Sequence, residues 1–449
     1  TRGFVTMAAK DSVLLQENPD AWSSSWEMAT ATFTAAATAA GARLERLDVD
    51  PALDGTPLWV DVAVWGTSTT HILLYTAGIH GVEGYAGSAV LIDLCQQMQQ
   101  HATSDAVKII FVHVLNPAGM HSRRRWNENN VDLNRNTLAT EQDYVDRRDN
   151  PNPTYVKYDE FLNPTTPLGA CDCFAPRLVC LICKEGFNNG KQALAGGQAH
   201  TARGLFYGGV QWEATPALVF GMLAQEGLSR DNAALRSCFH VDIHTGVGPW
   251  QHDSLLAENC FLPKLEQIFQ SKGDLNKEAW HLDGIGTWVA FVDEEEGEGK
   301  EVGGPTLTTG EAKEHDEAQQ RDAQDGVAYT AKGHVGGGLF YKNTPKHMQR
   351  KGADWISVTQ EFGTLKGTKM FQLLRAENAL TSHVKATLLN PLKEGGGTAE
   401  EVARDLMMSP QRTAVFDAFC PSDVKWRGFV VERGRVVFGR ALAHVLASR

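Results

Sequence analysis

Apolar and polar residues alternate in 59-WVDVAVWG-66, and apolar residues run together in 71-HILLYTAG-78. The pattern predicts two strands joined by Thr67-Ser68-Thr69-Thr70, a hairpin-like start. Ahead of them, residues 28–43 are rich in Ala and Thr and predict a helix. Behind them, 86-AGSAVLIDLCQQMQQ-100 places its apolar positions at helical spacing, and 108-KIIFVHVL-115 suits a buried strand. Strand, helix, strand implies a crossover. Two later runs, 238-CFHVDIHT-245 and 356-ISVTQEFGT-364, each end in a polar cluster. Together these predict an α/β sheet whose strands end in chemistry. The C-terminal part, with FQLLRAENALTSHV and RGFVVERGRVVFGRALAHVL, reads as mostly helical with a short strand or two.

Two intervals read as insertions in a single domain spanning 1–449. Residues 150–200 are rich in Pro, Asn, Gly and Cys, and residues 293–326 are acidic and Gly-rich without aromatics, as in a disordered surface loop. Neither is expected in the core.

Composition narrows the function classes. A chain of 449 residues with 42% hydrophobic content can bury a large core. Its formal net charge of −12 argues against a nucleic-acid partner, which would need a surplus of Lys and Arg. No apolar run reaches the roughly 18 residues of a membrane span. The 8 cysteines are scattered unevenly, which suits a reducing compartment and favours a cytoplasmic location. Cys171, Cys173, Cys180 and Cys183 crowd into one insertion, where a small structural zinc site is conceivable but unlinked thiols are the better reading.

The first candidate site is 78-GIHGVEGYAG-87. With 15 histidines in the chain, about one His-x-x-Glu is expected by chance, so the spacing of His80 and Glu83 alone decides little. Position raises its weight, because the pair follows a strand end and is framed by glycines. Residues three apart on a helix-like turn face one side, so both could reach one ion. His244, at the end of another apolar run, offers a third ligand, and three protein ligands with one open position suit a catalytic zinc. The loop 116-NPAGMHSRRRWNENNVDLNRN-136 is dense in Arg, Asn and Asp. Its arginine forks can pair with carboxylates and stabilise oxyanions, and Asn134-Arg135 could grip a substrate carboxylate. Arg123 and Arg124 read equally well as a solvated basic turn. Glu361 interrupts an apolar strand with a charge that is costly to bury, and so is the natural general base.

These motifs, with 204-GLFYGG-209 between them, resemble the carboxypeptidase A-like zinc peptidases, the funnelins, and more distantly the aspartoacylase and succinylglutamate desuccinylase group. The resemblance spans roughly residues 30–445. It implies a carboxypeptidase-like (phosphorylase/hydrolase-like) fold with a twisted mixed sheet of about eight strands between helices. It also implies one catalytic Zn2+ held by His80, Glu83 and His244, with Asp132 behind the first histidine. Arg125 would be the oxyanion arginine, Asn134 and Arg135 the carboxylate grip, and Glu361 the catalytic glutamate. The substrate would be a peptide with a free terminal carboxylate or, in the alternative, a small N-acyl amino acid; a catalytically silent binding module is a further alternative. Asn130 stands where the family pattern has Gly. No motif decides among Tyr207, Tyr329 and Tyr341 for a tyrosine over the substrate.

Overall fold

The computed structural model describes residues 18–99, 105–169, 172–257, 261–269, 333–349, 353–388 and 398–448. The acidic stretch 293–326, Cys171 and Tyr329 lie outside them. Seven strands form one mixed sheet in the order β1-β2-β4-β3-β5-β7-β6. They are β1 (Arg43–Val49), β2 (Leu58–Trp65), β3 (His71–Ala77), β4 (Lys108–Val112), β5 (Ser237–Val247), β6 (Asp253–Ala257) and β7 (Asp354–Leu365). The four central strands β4, β3, β5 and β7 are parallel, while β1, β2 and β6 run antiparallel to their neighbours. The α/β class and the mixed sheet are as expected, with seven strands among the described residues.

Burial explains the patterns. Every residue of β4 is buried, as are all but the last of β5 and all but the first of β3, so these strands read as apolar runs covered on both faces. Strand β1, at the sheet edge, has only exposed and half-buried positions and carries Arg43, Glu45, Arg46 and Asp48. Charge on an edge discourages pairing with another chain.

Three expectations change. The predicted hairpin of β2 and β3 does not form, because β4 inserts between them and pairs with both. The segment with FVV and VVF is helical throughout, within the helix Val424–Ala447. Val430, Val431, Val437 and Phe438 recur at helical spacing on its core face and are all buried. The 150–200 region does contribute to a core: Tyr155, Phe161, Leu162, Leu178 and Leu181 pack with Met370, Phe371 and Val415 in a second apolar cluster.

The chain moves from β3 outward to β4, then back across to β5 on the other side of β3. That reversal falls at the carboxyl ends of β3 and β5, the position where open α/β sheets bind ligands. His80 follows β3 and His244 lies near the end of β5.

Candidate metal centre

The turn after β3 is fixed by close backbone contact. A Cβ on Gly81 would lie 2.0 Å from the carbonyl carbon of Gly119, so only glycine permits the approach. Val82 N–H donates to Arg124 O at 2.7 Å and Gly81 N–H to Arg125 O at 3.2 Å, latching the arginine loop onto the turn. The Asn-rich stretch is a hydrogen-bonded frame. Asn127 Oδ1 accepts from Val131 N at 2.8 Å, and Asn136 Nδ2 donates to Gly208 O and Gln211 O at 3.0 and 2.7 Å. Asn130, where the family pattern has Gly, has φ +62°, a left-handed conformation that Asn tolerates better than most residues.

This frame brings five of the predicted residues into direct contact. His80 Nδ1 lies 2.9 Å from Glu83 Oε1, and His244 Nδ1 lies 3.0 Å from Glu83 Oε2. One ligand atom from each residue can be chosen so that all fall within 4.8 Å of one another. Among the described residues this is the one group of three His, Cys, Asp or Glu side chains close enough to share an ion. Behind it, His80 Nε2 meets Asp132 Oδ1 at 3.2 Å and His244 Nε2 meets Asp242 Oδ2 at 2.6 Å. Each imidazole is thus backed by a carboxylate at Nε2 and turned inward at Nδ1, the arrangement that orients metal-binding histidines. Arg125 joins the two acids, from Nε to Asp132 Oδ2 at 3.1 Å and from Nη1 to Glu83 Oε1 at 3.3 Å.

Glu361 lies beside His244 across the β5–β7 ladder and is half-buried. Asn134 and Arg135 adjoin the cluster rather than entering it. Asn134 N–H donates to Asp132 Oδ1 at 3.0 Å, its Oδ1 accepts from Val335 N at 3.0 Å, and Arg135 is fully buried and donates to Asn134 O at 2.8 Å. Arg124, read from sequence as a solvated turn residue, is instead buried and paired with Glu377 at 2.9 Å. The sequence reading missed two neighbours. Phe206 sets its ring 5.4 Å from the Arg125 guanidinium and 6.0 Å from that of Arg135. Asp242, two residues before His244 on one strand face, was visible in the period of a β-strand.

The electrostatics test whether an ion fits. Burial alone would raise the Glu83 carboxyl, but His80 and His244 hold it well below the usual carboxylate range. Burial likewise opposes ionisation of Asp132, and Arg125, His80 and Arg135 overcome it. His244 is raised well above an ordinary imidazole because Asp242 and Glu83 outweigh its burial. Glu361 goes the other way, pushed up to about 8 by removal from water and then by the Glu83 charge. His80 Nδ1 is buried and, although close to Glu83, makes no hydrogen bond of acceptable geometry. Two imidazoles turned inward at Nδ1 and a carboxylate between them are a donor set that fits a divalent metal ion.

Structural comparison finds similar folds at low identity. A provisionally assigned metallopeptidase from Shewanella amazonensis SB2B aligns over 80% of this chain and 92% of its own, with 12% identity and a TM-score of 0.33. Carboxypeptidase A from Helicoverpa armigera aligns over 87% and 80%, with 11% identity and a TM-score of 0.41. A provisionally assigned succinylglutamate desuccinylase/aspartoacylase from Shewanella frigidimarina NCIMB 400 aligns over 76% and 70%, with 13% identity and a TM-score of 0.29. No curated protein matches the chain. A family model described as "Protein of unknown function (DUF2817)" matches residues 22–274 and 276–433, and the chain belongs to that family.

Proposed function

We propose that this chain is a zinc-dependent hydrolase that cleaves an amide bond beside a free carboxylate, in the manner of a metallocarboxypeptidase, and that it works as one catalytic domain. The observation that carries the reading is the convergence of His80, Glu83 and His244 on one point, with Glu361 on the adjacent strand. His80 and His244 through Nδ1, with the Glu83 carboxylate, would hold the ion. Zinc bound there supplies Lewis acidity toward the scissile carbonyl and makes a water more acidic. A cation beside Glu361 also favours its ionised form, offsetting the repulsion from Glu83.

Glu361 then accepts the proton of the attacking water as its oxygen bonds to the carbonyl carbon, and returns it to the amine nitrogen as the C–N bond breaks. Arg125, anchored by Asp132 and Glu83, stabilises the negative charge developing on the carbonyl oxygen. Asn134 and Arg135 bind the substrate carboxylate and so orient the bond to be cut. Among the described residues no helix is long and apolar enough to cross a membrane.

The test is a panel of C-terminally free peptides, their amidated counterparts and N-acyl amino acids, assayed with zinc. Hydrolysis of the free peptides and not of the amides is expected. Turnover of N-acyl amino acids alone would replace the peptidase reading with a deacylase one, and turnover of neither class would contradict both.

A further inference from the structure

Behind His244 a line of hydrogen bonds runs across three strands of the sheet. Asp242, whose Oδ2 meets His244 Nε2 at 2.6 Å, accepts at Oδ1 from the Thr76 hydroxyl at 2.6 Å. Thr76 Oγ1 is also 2.9 Å from His240 Nε2, and His240 Nδ1 is 2.8 Å from Ser357 Oγ. Thr76, His240 and Asp242 are each at most 1% exposed. The register that builds the line is specific: Asp242 pairs with Thr76 across β5 and β3, and His240 with Ser357 across β5 and β7. His240, Asp242 and His244 alternate along β5 and share one face of the sheet.

The donors and acceptors can be ordered. The Thr76 hydroxyl donates to Asp242 Oδ1, and the His244 ring faces Asp242 Oδ2 through Nε2. Thr76 has one hydroxyl hydrogen and spends it on Asp242, so toward His240 it must accept. His240 therefore carries its hydrogen on Nε2. Burial holds the ring neutral, down to about 4, which leaves a lone pair at Nδ1 for the Ser357 hydroxyl to donate to.

We infer that Thr76, His240 and Ser357 are positioning residues for His244, a relay of fixed proton order that presents Nε2–H to Asp242 and turns Nδ1 toward the ion. The inference rests on His244 being a metal ligand, as read above. A buried polar line costs free energy unless every member is partnered, and a partnered one specifies a single geometry. The relay is tied to the hydrogen-bond register of the sheet, so His244 cannot turn without breaking a bond within it.

The relay is tested with zinc alone, by competition against a chromophoric chelator on the metal-free full chain. Thr76→Val keeps the shape of the side chain but removes the hydroxyl. Outer partners of this kind change metal affinity by roughly 10- to 100-fold, and a loss in that range is expected, with Thr76→Ser restoring the affinity to within roughly threefold. Ser357→Ala, at the far end, weakens binding less than Thr76→Val. Nitrogen-15 NMR of His240 near pH 7 needs no metal and is expected to show a neutral ring protonated at Nε2. A folded Thr76→Val protein with wild-type zinc affinity, or a His240 ring protonated at Nδ1, would overturn the relay. Should Thr76→Val fail to fold, Ser357→Ala and the His240 tautomer carry the test. Absence of zinc binding by the wild type would sink the ligand reading itself, and the tautomer would still decide the proton order.

Discussion

Two buried charge clusters flank the arginine loop, and they differ in how their charges are met. On one side, Glu377 is held by Arg124 at 2.9 Å and Arg412 at 3.2 Å, with the Thr381 hydroxyl donating at 2.6 Å. Two guanidinium groups outweigh the effect of burial and keep the Glu377 carboxyl below its ordinary value. On the other side, Glu83, Asp132, Asp242 and Glu361 gather around two imidazoles, with Arg125 bridging Glu83 and Asp132. There Glu361 is pushed up to about 8 and His80 Nδ1 lacks a hydrogen bond. The first cluster sets two guanidinium groups of the chain against one carboxylate, through Glu377 Oε1, while Glu377 Oε2 makes no hydrogen bond. The second is short of positive charge at one point, which a divalent cation would supply. Buried charge alone does not mark a site; the carboxyl of Glu361, raised by burial and by Glu83 beside it, is what makes the second cluster a candidate for one.

The contrast breaks most sharply at Glu361. Glu361→Gln is expected to lower kcat on the order of 10²- to 10⁴-fold, the usual worth of a general base, while zinc affinity stays near wild type. Single-turnover assays and chelator competition on one preparation check both halves. On the other cluster, Glu377→Ala leaves Arg124 and Arg412 as uncompensated buried charges and should cost about 3–5 kcal/mol of folding stability. Denaturant titration measures the loss, and an unchanged midpoint would mean that the cluster does not bear on stability.

Zinc provides the next smaller effect. At a free concentration about 100 times Kd it should stabilise the fold by about 2.7 kcal/mol, a gain absent in His80→Ala. Thermal melts with and without zinc would reveal it.

The smallest effect sharpens the comparison with a group that needs no partner charge. His113, stacked on Phe33 at 4.3 Å and bonded to Ser88 at 2.7 Å, is pushed down by burial to about 3. A histidine with a depressed folded pKa contributes stability that is present above its unfolded value and is lost as pH falls from about 6.5 toward 3. One unit below 6.5 the loss is about 1.4 kcal/mol. His113→Asn should flatten the fall in stability between pH 6.5 and 5.5, and an unchanged slope would contradict the assignment.

Much of the site was legible because its residues lie in short local motifs at strand ends. His80, Glu83 and His244 needed only a glycine-framed turn and the polar end of a second strand, whereas Arg125 and Asp132 came with the family resemblance of the arginine loop. What escaped depends on contacts distant in sequence. β4 enters between β2 and β3, which no turn residue between those strands could announce. The aromatic residues of 150–200 look like loop residues until Met370 and Phe371 arrive to cover them. Edge strand β1 hides because its apolar positions, Leu44, Leu47 and Val49, do not keep a strict period of two. The relay behind His244 was beyond reach for the same reason, since Thr76, His240 and Ser357 become neighbours only through the register of three strands.

The most direct measurement is zinc content of the purified chain alongside His244→Ala and Glu361→Gln. One zinc per chain is expected in the wild type and in Glu361→Gln, with loss from His244→Ala. A wild type without stoichiometric zinc, or a His244→Ala protein that retains it, would contradict the metal centre on which this account depends.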